Sequence, residues 1–120
     1  MEPALVPGNW IVCRAMGTRP SRGSIVVFPH PRRPDMWLVK RIVALPGEEV
    51  VLDFGEVLID GRAGIDVWGG DHDTFPEGSW RVGTGEVFVL SDNRRATADD
   101  ARSFGPIRTS GTLRVIWPRR

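Results

Sequence analysis

Trp37-Leu38-Val39-Lys40-Arg41-Ile42-Val43-Ala44-Leu45-Pro46-Gly47 reads as a buried β-strand closed by a Pro-Gly turn, with two cations in its middle. Of the 16 Lys and Arg side chains in the chain, only Lys40 is a lysine. Arginine stays protonated in proteins, whereas a lysine amine loses its proton when apolar surroundings disfavour the charged form. Side chains alternate between the faces of a strand, so Lys40 shares a face with Leu38, Ile42 and Ala44. An amine packed there can titrate near neutrality and serve as a general base toward a hydroxyl. The competing reading is an edge strand whose Lys-Arg pair discourages aggregation. The strand alone leaves the two readings level.

Working outward, the 120 residues suit one domain with one core, residues 1–120. A net charge of +1 gives no basic field, so nucleic acid is not an expected partner. The chain holds 14 Gly and 10 Pro, well above the usual share of about 12%. That punctuation between short Val, Ile, Leu, Phe and Trp runs predicts an all-β, mainly antiparallel chain. A single cysteine, Cys13, excludes an internal disulfide and reads as a small strand hydrophobe. No apolar run approaches the roughly 18 residues that span a bilayer, so the chain reads as a soluble domain or the soluble part of something longer.

Strands are expected at Trp10–Ala15, Ser24–Phe28 (stopped by Pro29), Trp37–Leu45, Glu48–Phe54, Glu56–Asp60, Glu86–Leu90 and Thr112–Trp117. The stretch from Arg62 to Gly85 carries the least pattern. Its Asp71-His72-Asp73 centre lacks matching ligands elsewhere and reads as a solvated loop, so no metal and no cofactor are expected. Ser91-Asp92-Asn93-Arg94 and Asp99-Asp100-Ala101-Arg102 form a second constellation. Asp and Arg at this density fix a loop through paired charges, either as the wall of an active site or as a charged surface turn. The two histidines, His30 and His72, lie near no nucleophile elbow, which argues against a Ser-His-Asp triad.

Taken together, five segments in order resemble the type I signal peptidase family of Ser/Lys proteases. Met1-Glu2-Pro3-Ala4-Leu5-Val6-Pro7-Gly8-Asn9 is similar to the family's Ser-Met-x-Pro-Thr-Leu…Gly-Asp segment, entered one residue late. Gly23-Ser24-Ile25-Val26-Val27-Phe28 resembles Gly-Asp-Ile-Val-Val-Phe, and Val39-Lys40-Arg41-Ile42-Val43-Ala44-Leu45-Pro46-Gly47 resembles Val-Lys-Arg-x-x-Ala-Leu-Pro-Gly. Phe88-Val89-Leu90-Ser91-Asp92-Asn93-Arg94 is similar to Phe-Val-Met-Gly-Asp-Asn-Arg, and Asp100-Ala101-Arg102-Ser103-Phe104-Gly105-Pro106 to Asp-Ser-Arg-x-Phe-Gly-Pro. The resemblance implies a partly open antiparallel barrel and a serine endopeptidase that cleaves a leader or pro-segment after small residues. It implies Lys40 as general base, Met1 and Pro3 beside the substrate groove and oxyanion site, and Asp92, Asn93, Arg94, Thr97, Asp100 and Arg102 as active-site support.

The resemblance also locates the departures. The family's nucleophilic serine precedes the methionine matched by Met1, so the chain is expected to begin just after it and to be inactive as it stands. Ser91 replaces a glycine and Ala101 a serine; Thr97 is the only nearby hydroxyl that could substitute for that serine. The implied partner is a polypeptide substrate, with membrane association through upstream residues and an extracytoplasmic catalytic face. Two alternatives stand beside this: a non-catalytic peptide-binding module, or a maturation protease of the kind that processes nickel superoxide dismutase, which would be cytoplasmic. Self-cleaving repressors of the SOS type share the chemistry but lack the Asp-Asn-Arg segment.

Overall fold

The computed structural model describes residues 10–17, 19–70 and 73–117. These residues form β1 (Val12–Ala15), β2 (Ile25–His30), β3 (Arg33–Ala44), β4 (Glu49–Asp53), β5 (Glu56–Ile59), β6 (Gly78–Arg81) and β7 (Glu86–Leu90), then α1 (Ala101–Phe104), β8 (Ile107–Arg108) and β9 (Leu113–Trp117). The strands make a six-stranded sheet, ordered β1-β9-β2-β3-β7-β8, and a three-stranded sheet, ordered β5-β4-β6. Every pairing is antiparallel, so the all-β expectation holds, with open sheets. No helix among the described residues is long and apolar enough to cross a membrane.

β3 is the axis of the large sheet. It pairs with β2 along most of its length, Trp37 with Pro29, Lys40 with Val26 and Arg41 with Ile25. On its other side it pairs with β7 only near its end, through Arg41, Ile42 and Ala44. Where both neighbours are present the strand is interior to the sheet, and Lys40 to Ala44, which point to both faces, are all buried. That explains why this half reads as a near-continuous apolar run rather than an alternation. Val26, Phe28, Ile42, Val43, Val87, Phe88, Val89 and Leu90 are each at most 2% exposed. Each such side chain contributes about 1.5–3 kcal/mol through burial.

The small sheet grows from the Pro46-Gly47 turn. β4 and β5 join through Phe54-Gly55, whose φ values of 49° and 80° define a primed two-residue hairpin turn. The sheet packs on the large one through Trp80 of β6, whose ring lies 5.0 Å from that of Phe88. β6 was not expected: it falls in the stretch of least sequence pattern, and its Gly78 and Ser79 carry almost no apolar signal. Gly78 is required because a Cβ there would stand 2.4 Å from the Trp80 ring.

Two boundaries also differ from expectation. β2 continues through Pro29 to His30, and β3 begins at Arg33, running through Pro34. Beyond Val27 the outer side of β2 has no partner strand among the described residues, because β9 pairs only with Val26 and Val27. The missing N–H of Pro29 therefore interrupts no ladder on that side. The short β8 and one-turn α1 are below the length at which sequence periodicity is readable.

Candidate active site

Lys40 and Ser91 face each other across the large sheet. β3 and β7 register Arg41 with Leu90 and Ile42 with Val89, and the next pair in that order is Lys40 with Ser91. Lys40 shares a strand face with Leu38 and Ile42, stands opposite Val26 and is 7% exposed. Its Nζ donates to Ser91 Oγ at 2.9 Å, and Ser91 Oγ donates to Asp100 Oδ2 at 2.9 Å. The Ser91 backbone N–H donates to the same carboxylate oxygen at 2.9 Å.

The direction of this relay follows from the chemistry of its end. An ionised carboxylate only accepts, so the single Ser91 hydroxyl proton is committed to Asp100. Ser91 Oγ can then only accept from Lys40. An uncharged amine in that position offers one N–H to Ser91 and keeps its lone pair for another group. Burial pushes the Lys40 amine below its ordinary value; Asp100 and Asp99 pull it upward and Arg102 lowers it again.

Asp100 is itself fully buried and caps α1, accepting the Arg102 backbone N–H at 3.0 Å. Arg102 Nε reaches Oδ1 at 2.9 Å and Nη2 reaches Oδ2 at 2.7 Å, a two-point pair. Burial acts to raise this carboxyl, but the Arg102 guanidinium and the Ser91 N–H outweigh it and hold it below the usual carboxylate value. The remaining Arg102 donors tie down the carbonyls of Phe75 (2.7 Å) and Thr97 (2.6 Å). The platform beneath Ser91 is therefore an ion pair, in which the Arg102 charge opposes the pull of Asp100 on the Lys40 amine.

The other expected residues divide by role. Asp92 receives both arms of Arg41, Nε at 3.1 Å and Nη2 at 2.7 Å, while Arg41 Nη1 reaches the Gly23 carbonyl at 2.9 Å. Arg94 donates to the Ser91 carbonyl at 2.8 Å and pairs with Asp66, securing the Ser91 turn from behind. Asn93 is exposed. Thr97 does not supply the hydroxyl beside Lys40. Its Oγ1 accepts the Asp99 N–H at 3.0 Å, and the structure gives that place to Ser91 because Ser91 alone lies across the strand from the lysine. The sequence reading placed Ser91 in the Asp/Arg constellation and as a replacement for glycine, not beside Lys40; register, invisible without the β3–β7 pairing, was the missing signal. Met1 and Pro3 lie outside the described residues.

His30 is 3% exposed and its Nε2 lies 2.9 Å from Asp99 Oδ1. Its Nδ1 accepts the Arg32 N–H at 3.0 Å, so in the neutral ring the proton sits on Nε2 toward Asp99. Both nitrogens are engaged locally, and no serine hydroxyl is bonded to this ring among the described residues. Among the described residues no cluster of His, Cys, Asp and Glu is arranged to hold a metal.

A solvent-facing edge adjoins the lysine. From Arg33 to Val39, β3 has no partner strand on its β7 side among the described residues, while Trp37 is 54% exposed there. An extended chain could add to that edge and end beside Lys40.

Comparisons with known proteins bear on the family and the fold. A signal peptidase I structure from Enterococcus faecalis superposes with a TM-score of 0.69 at 26% identity, covering 82% of this chain and 97% of that one. Signal peptidase I V of Bacillus subtilis is 29% identical over 133 residues, which is 97% of this chain and 77% of the relative. The mitochondrial ATP-independent inner membrane protease subunit 1b of Arabidopsis thaliana is 31% identical over 98% of this chain and 63% of its own length. Signal peptidase I of Aquifex aeolicus is 38% identical over 53 residues, and there the match spans only 21% of the relative. The family model described as signal peptidase, peptidase S26, matches residues 1–116, and with the shared fold this places the chain in the signal peptidase family.

Proposed function

We propose that this domain cleaves peptide bonds after small residues, with Lys40 as the general base of a Ser/Lys dyad. The observation that carries the reading is the buried lysine amine that donates one hydrogen bond to Ser91 Oγ at 2.9 Å and, among the described residues, forms no salt bridge. In this reading the nucleophile is a serine immediately ahead of Met1. Uncharged Lys40 takes the serine proton as the hydroxyl oxygen attacks the scissile carbonyl, giving a tetrahedral oxyanion and a lysine ammonium. The intermediate collapses by breaking the C–N bond, and the ammonium returns its proton to the departing amine. Lys40 then deprotonates a water that attacks the acyl ester, releasing the acid and restoring the serine.

Asp92, Arg94, Asp100 and Arg102 act by holding the frame. The substrate, a leader or pro-segment, would lie extended against the open edge of β3. We place the reaction at a membrane surface, on its extracytoplasmic side, by likeness to the signal peptidases.

The test is a form of the chain with a serine placed directly before Met1, incubated with a peptide carrying small residues before its scissile bond. Cleavage is expected, with burst kinetics from acyl-enzyme accumulation. Lys40→Ala should remove at least about a hundredfold of the rate. Cleavage that survives this substitution would sink the Ser/Lys assignment. Peptide binding without acylation would instead favour a non-catalytic binding module.

A further inference from the structure

His30 is a buried titratable side chain that the Lys40 chemistry does not use. It closes β2, it is 3% exposed, and both of its ring nitrogens are engaged. Nδ1 accepts the Arg32 N–H at 3.0 Å, and Nε2, which carries the proton of the neutral ring, lies 2.9 Å from Asp99 Oδ1. The Phe104 ring of α1 packs edge-to-face with the imidazole, centroids 5.4 Å apart, and meets Phe28 at 6.1 Å. A ring held by both nitrogens and by its packing cannot follow a partner that moves. It is a rigid donor, unlike the exposed Arg33, whose long side chain brings Nη2 within 3.4 Å of Asp99 Oδ2.

Asp99 immediately precedes Asp100, the carboxylate that accepts from Ser91 Oγ beneath Lys40. Beyond Asp100, Arg32 Nη2 reaches the Ser103 carbonyl of α1 at 2.8 Å. The corner between β2 and β3 thus grips the segment that carries the lysine's platform both before and after Asp100. Asp99 is also one of the two carboxylates that pull the Lys40 amine upward. Its side chain is 33% exposed, so a carboxylate freed from His30 would turn toward water, where screening weakens that pull.

We infer that His30 is a positioning residue for Lys40, acting through Asp99: it fixes the Asp99 carboxylate and, with it, the turn that carries Asp100. The inference deepens the Ser/Lys reading and rests on it for the lysine's role as base. Among the described residues, the charged groups facing His30 are Asp99, from the turn before α1, and Arg33, from β3; α1 contributes the uncharged Phe104. Those acting on Lys40 are Asp100, Asp99 and Arg102, while β2 places Val26 opposite it. His30 is thus joined to the lysine by a path with one carboxylate at each step.

Because Lys40 is the only lysine, carbon-13 labelling at lysine Cε in the 120-residue chain gives one NMR signal, whose movement with pH titrates that amine. His30→Phe keeps the ring packing and removes the donor, whereas His30→Gln offers an amide near the place of Nε2. In His30→Phe and in Asp99→Asn, the ratio of uncharged to charged Lys40 at a fixed pH should rise about two- to fivefold, as for loss of one partly screened negative charge. The double variant should do no more than Asp99→Asn alone, and His30→Gln should stay near wild type. A Lys40 titration unmoved in His30→Phe, moved as far in His30→Gln, or moved additively in the double variant overturns the inference. His30→Asn, too short to reach Asp99, gives the same test if the phenylalanine form does not fold. In the form bearing a serine before Met1, the acid limb of the cleavage rate should follow the Lys40 signal to lower pH in His30→Phe. If the signal moves and no peptide is cleaved, the role of His30 stands and the Ser/Lys reading fails. If peptide is cleaved and the signal stays, the role of His30 alone falls.

Discussion

Lys40→Met is expected to stabilise the domain near neutral pH, and the size of the effect should shrink as the pH is raised. Burial depresses the Lys40 amine in the folded chain, whereas the unfolded chain restores it to about 10.4. Below both values the amine is protonated in both states, and folding carries the full cost of burying the charge. Between the two values folding releases a proton, so stability climbs with pH by at most about 1.4 kcal/mol per unit. Above about 10.4 the amine is uncharged in both states and the cost is gone. Methionine has no such cost at any pH. It also removes one donor from Ser91 Oγ, but the hydroxyl keeps Asp100 as its acceptor, so that loss is about 1 kcal/mol at most. Urea unfolding of both proteins across the neutral-to-alkaline range measures the difference directly. The wild-type deficit should fall along the stated slope and flatten once the unfolded amine is neutral. A lysine more stable than methionine near neutrality, by an amount constant with pH, would refute the claim that burial dominates this amine.

Ser91→Ala should cost about 1–3 kcal/mol in thermal or chemical unfolding and, in the serine-bearing form, about ten- to a hundredfold in acylation rate, because it frees the Lys40 amine to rotate. Thr97→Val should stay within about 1 kcal/mol and leave acylation near wild type, since Thr97 Oγ1 meets only the Asp99 N–H. Arg102→Met strands the fully buried Asp100 carboxylate and should destabilise by about 3–5 kcal/mol, part of it recovered in Asp100→Asn/Arg102→Met. Gly23→Ala sets a Cβ 2.7 Å from the Trp68 ring at a φ of 90°, and should lower the melting temperature by several degrees while moving Trp68 fluorescence.

The fold was largely legible because strands such as Glu86–Leu90 combine apolar density with Gly boundaries on a scale longer than any turn. β6 was hidden because Gly78-Ser79-Trp80-Arg81 depends on one tryptophan reaching Phe88, a contact made between sheets and not recorded in local pattern. Pro29 misled because proline is a stop only where a ladder needs its N–H, and β2 has already lost its second neighbour there. At the site, the isolated lysine and its apolar face could be read from spacing. Ser91 could not, because facing residues are set by where two distant strands come into register. Thr97 was the hydroxyl the sequence offered, yet its Oγ1 accepts the Asp99 N–H two residues on.

The one-sided pairing of β3 carries a consequence for hydrogen exchange. From Arg41 onward the strand is bonded on both sides, while before it every second amide points away from β2 toward an edge with no strand among the described residues. Protection should therefore fall in an alternating pattern along Trp37 to Val39 and become uniform past Arg41. A peptide that adds to this edge would slow the outward amides and leave their neighbours unchanged. Its footprint would record both the direction and the register of the bound chain, one residue at a time, ending beside Lys40.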